Sequence, residues 1–332
     1  MIKPEQPPGK QANNVVAGTP GGVARAVKLL REGQVVGLPT ETVYGLAGDG
    51  LNPAALARIF EIKQRPLFDP LILHLAEADA AFRLAACVPD AARELARRFW
   101  PGPLTLVLPK AGLVPDLATS GLPTVALRVP IHPLAQAVLR AFGRPLAAPS
   151  ANRFGQISPT DAPAVGAELG AAVPLILDGG SCPVGIESTV LDLSGEKPLL
   201  LRAGGVPVEE IEAVVGPVER AQAVLDRPLA PGQLRHHYAP RKPLHLVRGV
   251  NDIPSRTDAG VLVFGAAPAP LAGVIKNLSS GGDLREAAVN FFRFLRALDD
   301  DPRVTELYAV PLPAHGLGLA INERLGRAAS SD

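Results

Sequence analysis

Cysteine is nearly missing from this chain: Cys87 and Cys182 are the only two in 332 residues. Two thiols make neither a disulfide framework nor a cysteine-based zinc site, and they fit a reducing cytoplasm. An excess of one charge is missing as well, with 33 Lys and Arg against 32 Asp and Glu. That balance argues against a broad basic face gripping nucleic acid, although it leaves room for a local basic pocket. No apolar run approaches the roughly 18 residues of a membrane-crossing helix. The opening residues MIKPEQPPGKQANN are polar and proline-rich, with no apolar core of the kind a signal peptide carries. The expectation is a cytoplasmic protein without a membrane partner, in which residues 1–18 form a loose lead-in.

What the chain does have is apolar content, 47%, and a length that predicts two domains. Its 35 prolines and 33 glycines stay below the share that marks disorder. They fall between apolar runs, which predicts many short elements with defined turns.

The most informative stretch is LPTETVYGLAGDGLNPAALARIFEIKQRPLFDPLILHL, from Leu38 to Leu75. Val35-Val36-Gly37-Leu38 reads as a buried strand, followed by the polar triplet Thr40-Glu41-Thr42. Ligands of open α/β sheets sit outside the carboxyl ends of such strands. Asn52-Pro53 reads as a helix cap and first helical residue. Leu56, Ile59 and Phe60 keep helical spacing toward a core, and Pro66 is expected to end the helix. Lys63 and Arg65 are therefore delivered at its exit, and a strand Leu71-Ile72-Leu73 ends on His74. A guanidinium and an ammonium suit an oligophosphate. The same pair also suits the negative end of a helix dipole.

Further along, residues 21–32, 77–86, 90–99 and 132–142 read as helices, and 104–108 as a strand. Trp100 is expected to pack beside the rigid Pro101-Gly102-Pro103 turn. Thr124 to Val129 alternates as a strand with Thr124, Ala126 and Arg128 on one face. A strand arginine among apolar neighbours needs a partner, either a salt bridge or a substrate carboxylate. Leu146 to Asn152 is a strand running into a small, polar turn, and Ser158 or Thr160 is expected to cap the next helix. Taken alone, Ser150, Asn152 and Ser158 are turn and cap residues as readily as site residues. Three apolar runs between 173 and 202 read as strands, with Arg202 closing the last. Residues 219–242 lose periodicity and read as an interdomain linker. From 243 to 332 a second α/β unit follows, with strands near 244–247, 261–264 and 307–310 and helices at 283–299 and the end.

The ordered run from Pro39 to Leu46, then Lys63/Arg65/Pro66, Pro70-Leu71 and His74 resembles the signature of the YrdC-like superfamily, specifically the threonylcarbamoyl-AMP synthases. The runs WPGPLT, APSAN…SPT, GIEST and APG…HHYAP are similar to later motifs of its long, two-domain members. The resemblance implies a YrdC-like open twisted mixed sheet with flanking helices over 19–218. It also implies a linker at 219–242 folding over the site, and a smaller Rossmann-like α/β domain over 243–332.

For function, the resemblance implies adenylation of N-carboxythreonine, made from L-threonine and bicarbonate, at the α-phosphorus of ATP. The product would pass to separate threonylcarbamoyl transferase proteins that modify tRNA, with no stable nucleic-acid complex formed by this chain. Lys63 and Arg65 become the catalytic cations. Lys63, Arg65, Asp69, Thr124, Ser150, Asn152, Ser158, Arg202 and Tyr238 fall to ATP; Thr42, His74, Arg128, Ala148 and Ser188 fall to threonine. Mg²⁺ is expected through the ATP phosphates, with no metal site of the protein's own. His74 is the candidate base by its ordinary pKa. Two departures stand out: Ala203 replaces a proline, and Asp69 replaces an asparagine. A carboxylate neither donates a hydrogen bond nor welcomes phosphate, so Asp69 either works through Mg²⁺ or turns away. His236-His237 reads as linker polarity.

The rival reading is an RNA-binding module with a basic concave surface and no turnover. A third, a carbamoyl-transferring maturation factor, calls for cysteine-rich zinc segments that two cysteines cannot supply.

Overall fold

Short apolar runs bounded by Pro, Gly and polar residues become short strands. The computed structural model describes residues 14–221, 228–233, 237–266 and 271–329. The first sheet contains β1 (Val15–Ala17), β2 (Val36–Leu38), β3 (Gly45–Asp49), β4 (Ile72–His74), β5 (Leu104–Pro109) and β6 (Thr124–Arg128). It continues with β7 (Leu146–Ala147), β8 (Ile176–Asp178), β9 (Thr189–Asp192), β10 (Leu199–Arg202) and β11 (Glu219–Arg220). Their order is β1-β8-β2-β3-β7-β4-β6-β5-β9-β10-β11, with parallel and antiparallel pairs mixed. Strand β1, from the stretch read as a lead-in, pairs in parallel with β8; residues 1–13 lie outside the described residues.

The second sheet is entirely parallel: β12 (Leu244–Leu246), β13 (Ala259–Val263), β14 (Val274–Asn277) and β15 (Glu306–Ala309), ordered β12-β15-β13-β14. Its crossover helix Leu284–Asp300 and the last helix, Leu317–Ala328, turn apolar faces to the first domain. One core cluster joins Val43, Ile186 and Tyr238 to Phe292 and Ile321, so the seam between the domains is itself a core.

Local rules explain most boundaries. Asn52 Oδ1 accepts from Ala54 N, as a cap should, with Pro53 next. That helix ends earlier than Pro66 requires. Lys63 is its last residue, and Gln64 caps it in the left-handed region at φ 52°. The helix Ala162–Leu169 is capped by Asp161, whose side chain accepts from Ala164 N. Neither Ser158 nor Thr160 is the cap, which frees the Ser158 hydroxyl for another partner. Trp100 is packed as expected, donating from Nε1 to Leu104 O and lying against Phe82.

Candidate active site

The ends of these strands meet around one cavity. In the parallel pair β4–β6, His74 stands in register with Arg128. The β2–β3 connection supplies Thr42 and Val43, and the turn after β7 supplies Ala148, Pro149 and Ser150. Glu187 and Ser188 come from the turn before β9, and Arg202 from the end of β10. Arg65 arrives just past the left-handed Gln64. Pro231, Gly232, His237 and Tyr238 of the linker complete the wall, and His236 lies outside the described residues. The turn carrying Arg202 sits tightly on the turn carrying Ser188: a Cβ on Gly204 would lie 2.3 Å from the Ser188 carbonyl carbon. Only glycine fits there.

Three guanidinium groups, Arg65, Arg128 and Arg202, therefore line one cavity. Each is anchored by acceptors behind it. Arg65 donates to the Asp69 and Pro70 carbonyls and pairs with the Asp69 carboxylate at 2.9 Å. Arg128 Nη2 donates to Glu41 Oε1 at 2.7 Å and Nε to Gly102 O at 3.3 Å. Arg202 donates to Ser188 O and to Pro231 O. Burial lowers the pKa of Arg65 and of Arg202 from the ordinary value, and neighbouring anions offset part of that. A guanidinium starts so high that it stays charged.

His74 is a different case. Burial first, and the charge of Arg128 second, hold its imidazole at about 3. It is neutral at pH 7, with Nδ1 near Ile72 O at 3.2 Å. So weak a base does not take a proton from an ammonium, which removes the reason for making it the general base. Neutral, it suits a positioning contact.

Of the residues expected in the site, Thr42, Arg65, His74, Arg128, Ala148, Ser150, Ser188, Arg202 and Tyr238 line the cavity. Lys63, Asp69, Thr124, Asn152 and Ser158 stand behind or beside it. Lys63 is 1% exposed, and its Nζ donates to Ser150 O and Asn152 O, tying down the polar turn from beneath. Burial, then Arg65, lowers its pKa well below the usual lysine range. Asp69 is not among the residues lining the cavity and pairs with Arg65, which is, while no N–H or O–H among the described residues is aligned on its carboxylate oxygens. Burial raises its pKa against the pull of Arg65 and Lys63. Asn152 Nδ2 is spent on Arg153 O and Gln156 O. Thr124 opens β6, opposite Pro109.

His237, read as linker polarity, is buried in the cavity wall, and the charged pair Glu187 and Arg324 was not anticipated. Glu187 lines the cavity, with Oε1 accepting from Ser158 Oγ and Oε2 from Arg324 Nε, both at 2.6 Å. Burial alone would raise its pKa, but Arg324 and Arg202 outweigh burial and leave it at about 2. Arg324 belongs to the last helix, 137 residues away, and no spacing rule links such a pair. The buried Tyr238 Oη and His237 Nδ1 have no hydrogen-bond partner among the described residues.

Among the described residues, no group of His, Cys, Asp and Glu is arranged to hold a metal ion, and no helix is long and apolar enough to cross a membrane. Residues 28–204 match the Sua5/YciO/YrdC family model, described as "Telomere recombination". Residues 206–330 match the model "Threonylcarbamoyl-AMP synthase, C-terminal domain". The chain is 42% identical to the threonylcarbamoyl-AMP synthase of Pyrococcus abyssi, over 91% of this chain and 92% of that one. It is 40% identical to the Bacillus subtilis enzyme of the same name, over 92% of each. A crystal structure of P. abyssi Sua5 complexed with L-threonine superposes with a TM-score of 0.86 at 40% identity, covering 92% of this chain and 94% of that one. With both models together accounting for nearly its whole length, the chain belongs to the Sua5/YciO/YrdC family, in the form that carries the threonylcarbamoyl-AMP synthase C-terminal domain.

Proposed function

We infer that this chain is a threonylcarbamoyl-AMP synthase, a nucleotidyltransferase serving tRNA modification. The observation that carries this reading is the convergence of Arg65, Arg128 and Arg202 from three separate elements on one cavity. The relatives' name and the L-threonine bound by the P. abyssi protein support it.

In this reading, threonine's carboxylate meets Arg128, with the neutral His74, Thr42 and Ser188 around its other groups and Ala148 beside it. The threonine amine, once neutral, takes up bicarbonate with loss of water to give N-carboxythreonine. The new carboxylate attacks the α-phosphorus of ATP, and pyrophosphate leaves. Such a transfer asks a protein for alignment and for positive charge where phosphate charge develops. Arg65 and Arg202 supply that charge, Ser150 and Tyr238 contact the nucleotide, and Lys63 fixes the Ser150 turn. Excluding water protects the mixed anhydride product.

Glu187 is engaged by Arg324 and Ser158, Glu41 by Arg128 and Asp69 by Arg65. With each of these carboxylates engaged by a cation, the donor set among the described residues fits an Mg²⁺ ion that arrives on the triphosphate and keeps several waters. Bicarbonate and downstream transferases belong to the same reading.

The test is to incubate the protein with ATP, threonine and bicarbonate, omitting each in turn. Pyrophosphate and the adenylate should form only when all three are present. RNA binding without turnover would favour the rival module instead.

A further inference from the structure

The last helix, Leu317–Ala328, reaches across the domain seam with three successive contacts. Glu323 Oε2 accepts from Ala203 N at 3.3 Å, and Arg327 Nη1 donates to Gly232 O of the linker. Between them, Arg324 is 0% exposed, the largest fully buried side chain among the described residues. Its Nε donates to Glu187 Oε2, and its Nη1 donates to Ala203 O at 3.0 Å and Ala320 O at 2.8 Å. Its guanidinium carbon lies 5.5 Å from the centre of the Tyr238 ring. A fully buried cation is costly unless it answers a buried anion.

That anion is Glu187, the only acidic residue among the described residues lining the cavity. A carboxylate in the wall of a triphosphate pocket opposes its ligand by like charge. The groups facing it are Ser158 on the loop before the helix Ala162–Leu169, Arg202 on β10, His237 and Tyr238 on the linker, and Arg324 on the last helix. Arg202 adds its charge from a distance but spends its hydrogen bonds on the Ser188 and Pro231 carbonyls, and His237 is held neutral by burial. Among the described residues, Arg324 is the cation hydrogen-bonded to Glu187.

We propose that Arg324 is a positioning residue for the nucleotide. It neutralises Glu187 from outside the cavity, so that the wall facing the phosphates stays cationic. The inference rests on the reading that the cavity takes ATP, and it makes the C-terminal domain part of the nucleotide site.

The experiment uses the full chain as wild type, Arg324→Met, Arg324→Lys, Glu187→Gln and the double Arg324→Met/Glu187→Gln. Pyrophosphate release is measured with ATP and threonine varied separately from pH 6 to 8.5, with thermal unfolding followed alongside. Arg324→Met should raise the KM for ATP by ~10-fold or more while moving the threonine KM by less than about threefold. The double variant should return the ATP KM to within about threefold of wild type, because it removes the stranded charge as well as its partner. Lowering the pH should improve ATP binding in Arg324→Met, where an unpaired Glu187 takes up a proton more readily, and should not do so in wild type. Arg324→Lys keeps the charge and serves if the Met variant does not fold; its ATP KM should stay within about threefold. An unchanged ATP KM in Arg324→Met, a double variant no better than the single, or equal rises for both substrates would overturn the proposal. If wild type makes no pyrophosphate, the functional reading fails by itself. Calorimetric titration of the same variants with Mg·ATP then decides the role of Arg324.

Discussion

Arg128 Nη2 donates to Glu41 Oε1 at 2.7 Å, and both side chains are shut away from bulk water. Glu41 Oε2 is also used, accepting from Ile131 N. The pair fixes the guanidinium in one orientation, while Nη1 makes no hydrogen bond among the described residues. Arg128→Ala should therefore do two separable things. It should raise the threonine KM by ~10-fold or more with little change for ATP. It should also destabilise the fold by about 3–5 kcal/mol, because Glu41 is left buried without its cation. Adding Glu41→Gln should recover most of the stability, read by urea unfolding, and none of the threonine affinity. Recovery of both would place Arg128 away from the substrate.

Lys63 and Arg65 sit two residues apart and do different work. The Arg65 guanidinium lines the cavity, whereas Lys63 spends its ammonium on the Ser150 and Asn152 carbonyls. Arg65→Ala should lower pyrophosphate formation by roughly 10²–10³, the scale of losing one electrostatic stabiliser. Lys63→Ala should lower it by a similar factor through a different route. Two buried carbonyls lose their donor, at ~1 kcal/mol or more each, so the urea midpoint should drop as well. Near-normal turnover in both variants would count against assigning this cavity to ATP.

The sequence was most legible where a local rule acts alone. Asn52-Pro53 capped its helix, and Arg128 and Arg202 sat at strand ends because strand ends can be read from apolar runs. It was least legible where direction or distance decides. The strand Gly45–Asp49 hides because GLAGD neither alternates nor carries β-branched residues. Whether Lys63, Asn152 or Ser158 faces the cavity depends on turn geometry that spacing does not fix. The Glu187–Arg324 pair joins two domains that must both fold before the pair exists.

Stability should fall on mild acidification. Burial holds His74 and His237 at about 3, whereas an unfolded histidine titrates near 6.5. Below 6.5 the unfolded chain binds protons that the folded chain refuses. The stabilisation is therefore complete above that pH and is lost progressively toward 3. From pH 7.5 to 5.5 each histidine accounts for roughly 1.4 kcal/mol. Half-buried His132 is shifted in the same direction and adds to the slope. Urea unfolding at the two pH values measures the difference, and His237→Gln should remove one histidine's share. No loss between them would mean that these imidazoles are not held neutral. For the same reason His74→Asn should leave the pH dependence of the rate between about 6 and 8 unchanged.

The linker is expected to move during turnover. The cavity offers about 40 Å³, a few times the ~10–15 Å³ that a single buried water needs. Nucleotide and amino acid need several hundred Å³. The movable part of the wall is Pro231, Gly232, His237 and Tyr238, held down by the Arg202 Nη1 bond to Pro231 O, by Arg327 on Gly232 O, and by Ala239 N on Gly155 O. Trypsin should therefore cut within 219–242, and ATP plus threonine should slow the cutting by drawing the linker down. Gly232 has φ +85°, and a Cβ there would come within 2.9 Å of Tyr238 Oη and 3.2 Å of Arg202 Cδ. Gly232→Ala is strained on both counts and should prop the linker away from the site. In that variant, substrates should no longer protect against trypsin, and pyrophosphate formation should fall by ~10-fold with the rest of the fold intact. Cutting that ignores substrates in wild type, or a Gly232→Ala enzyme that is protected and fully active, would show that the linker is a fixed wall and that substrates enter by another path.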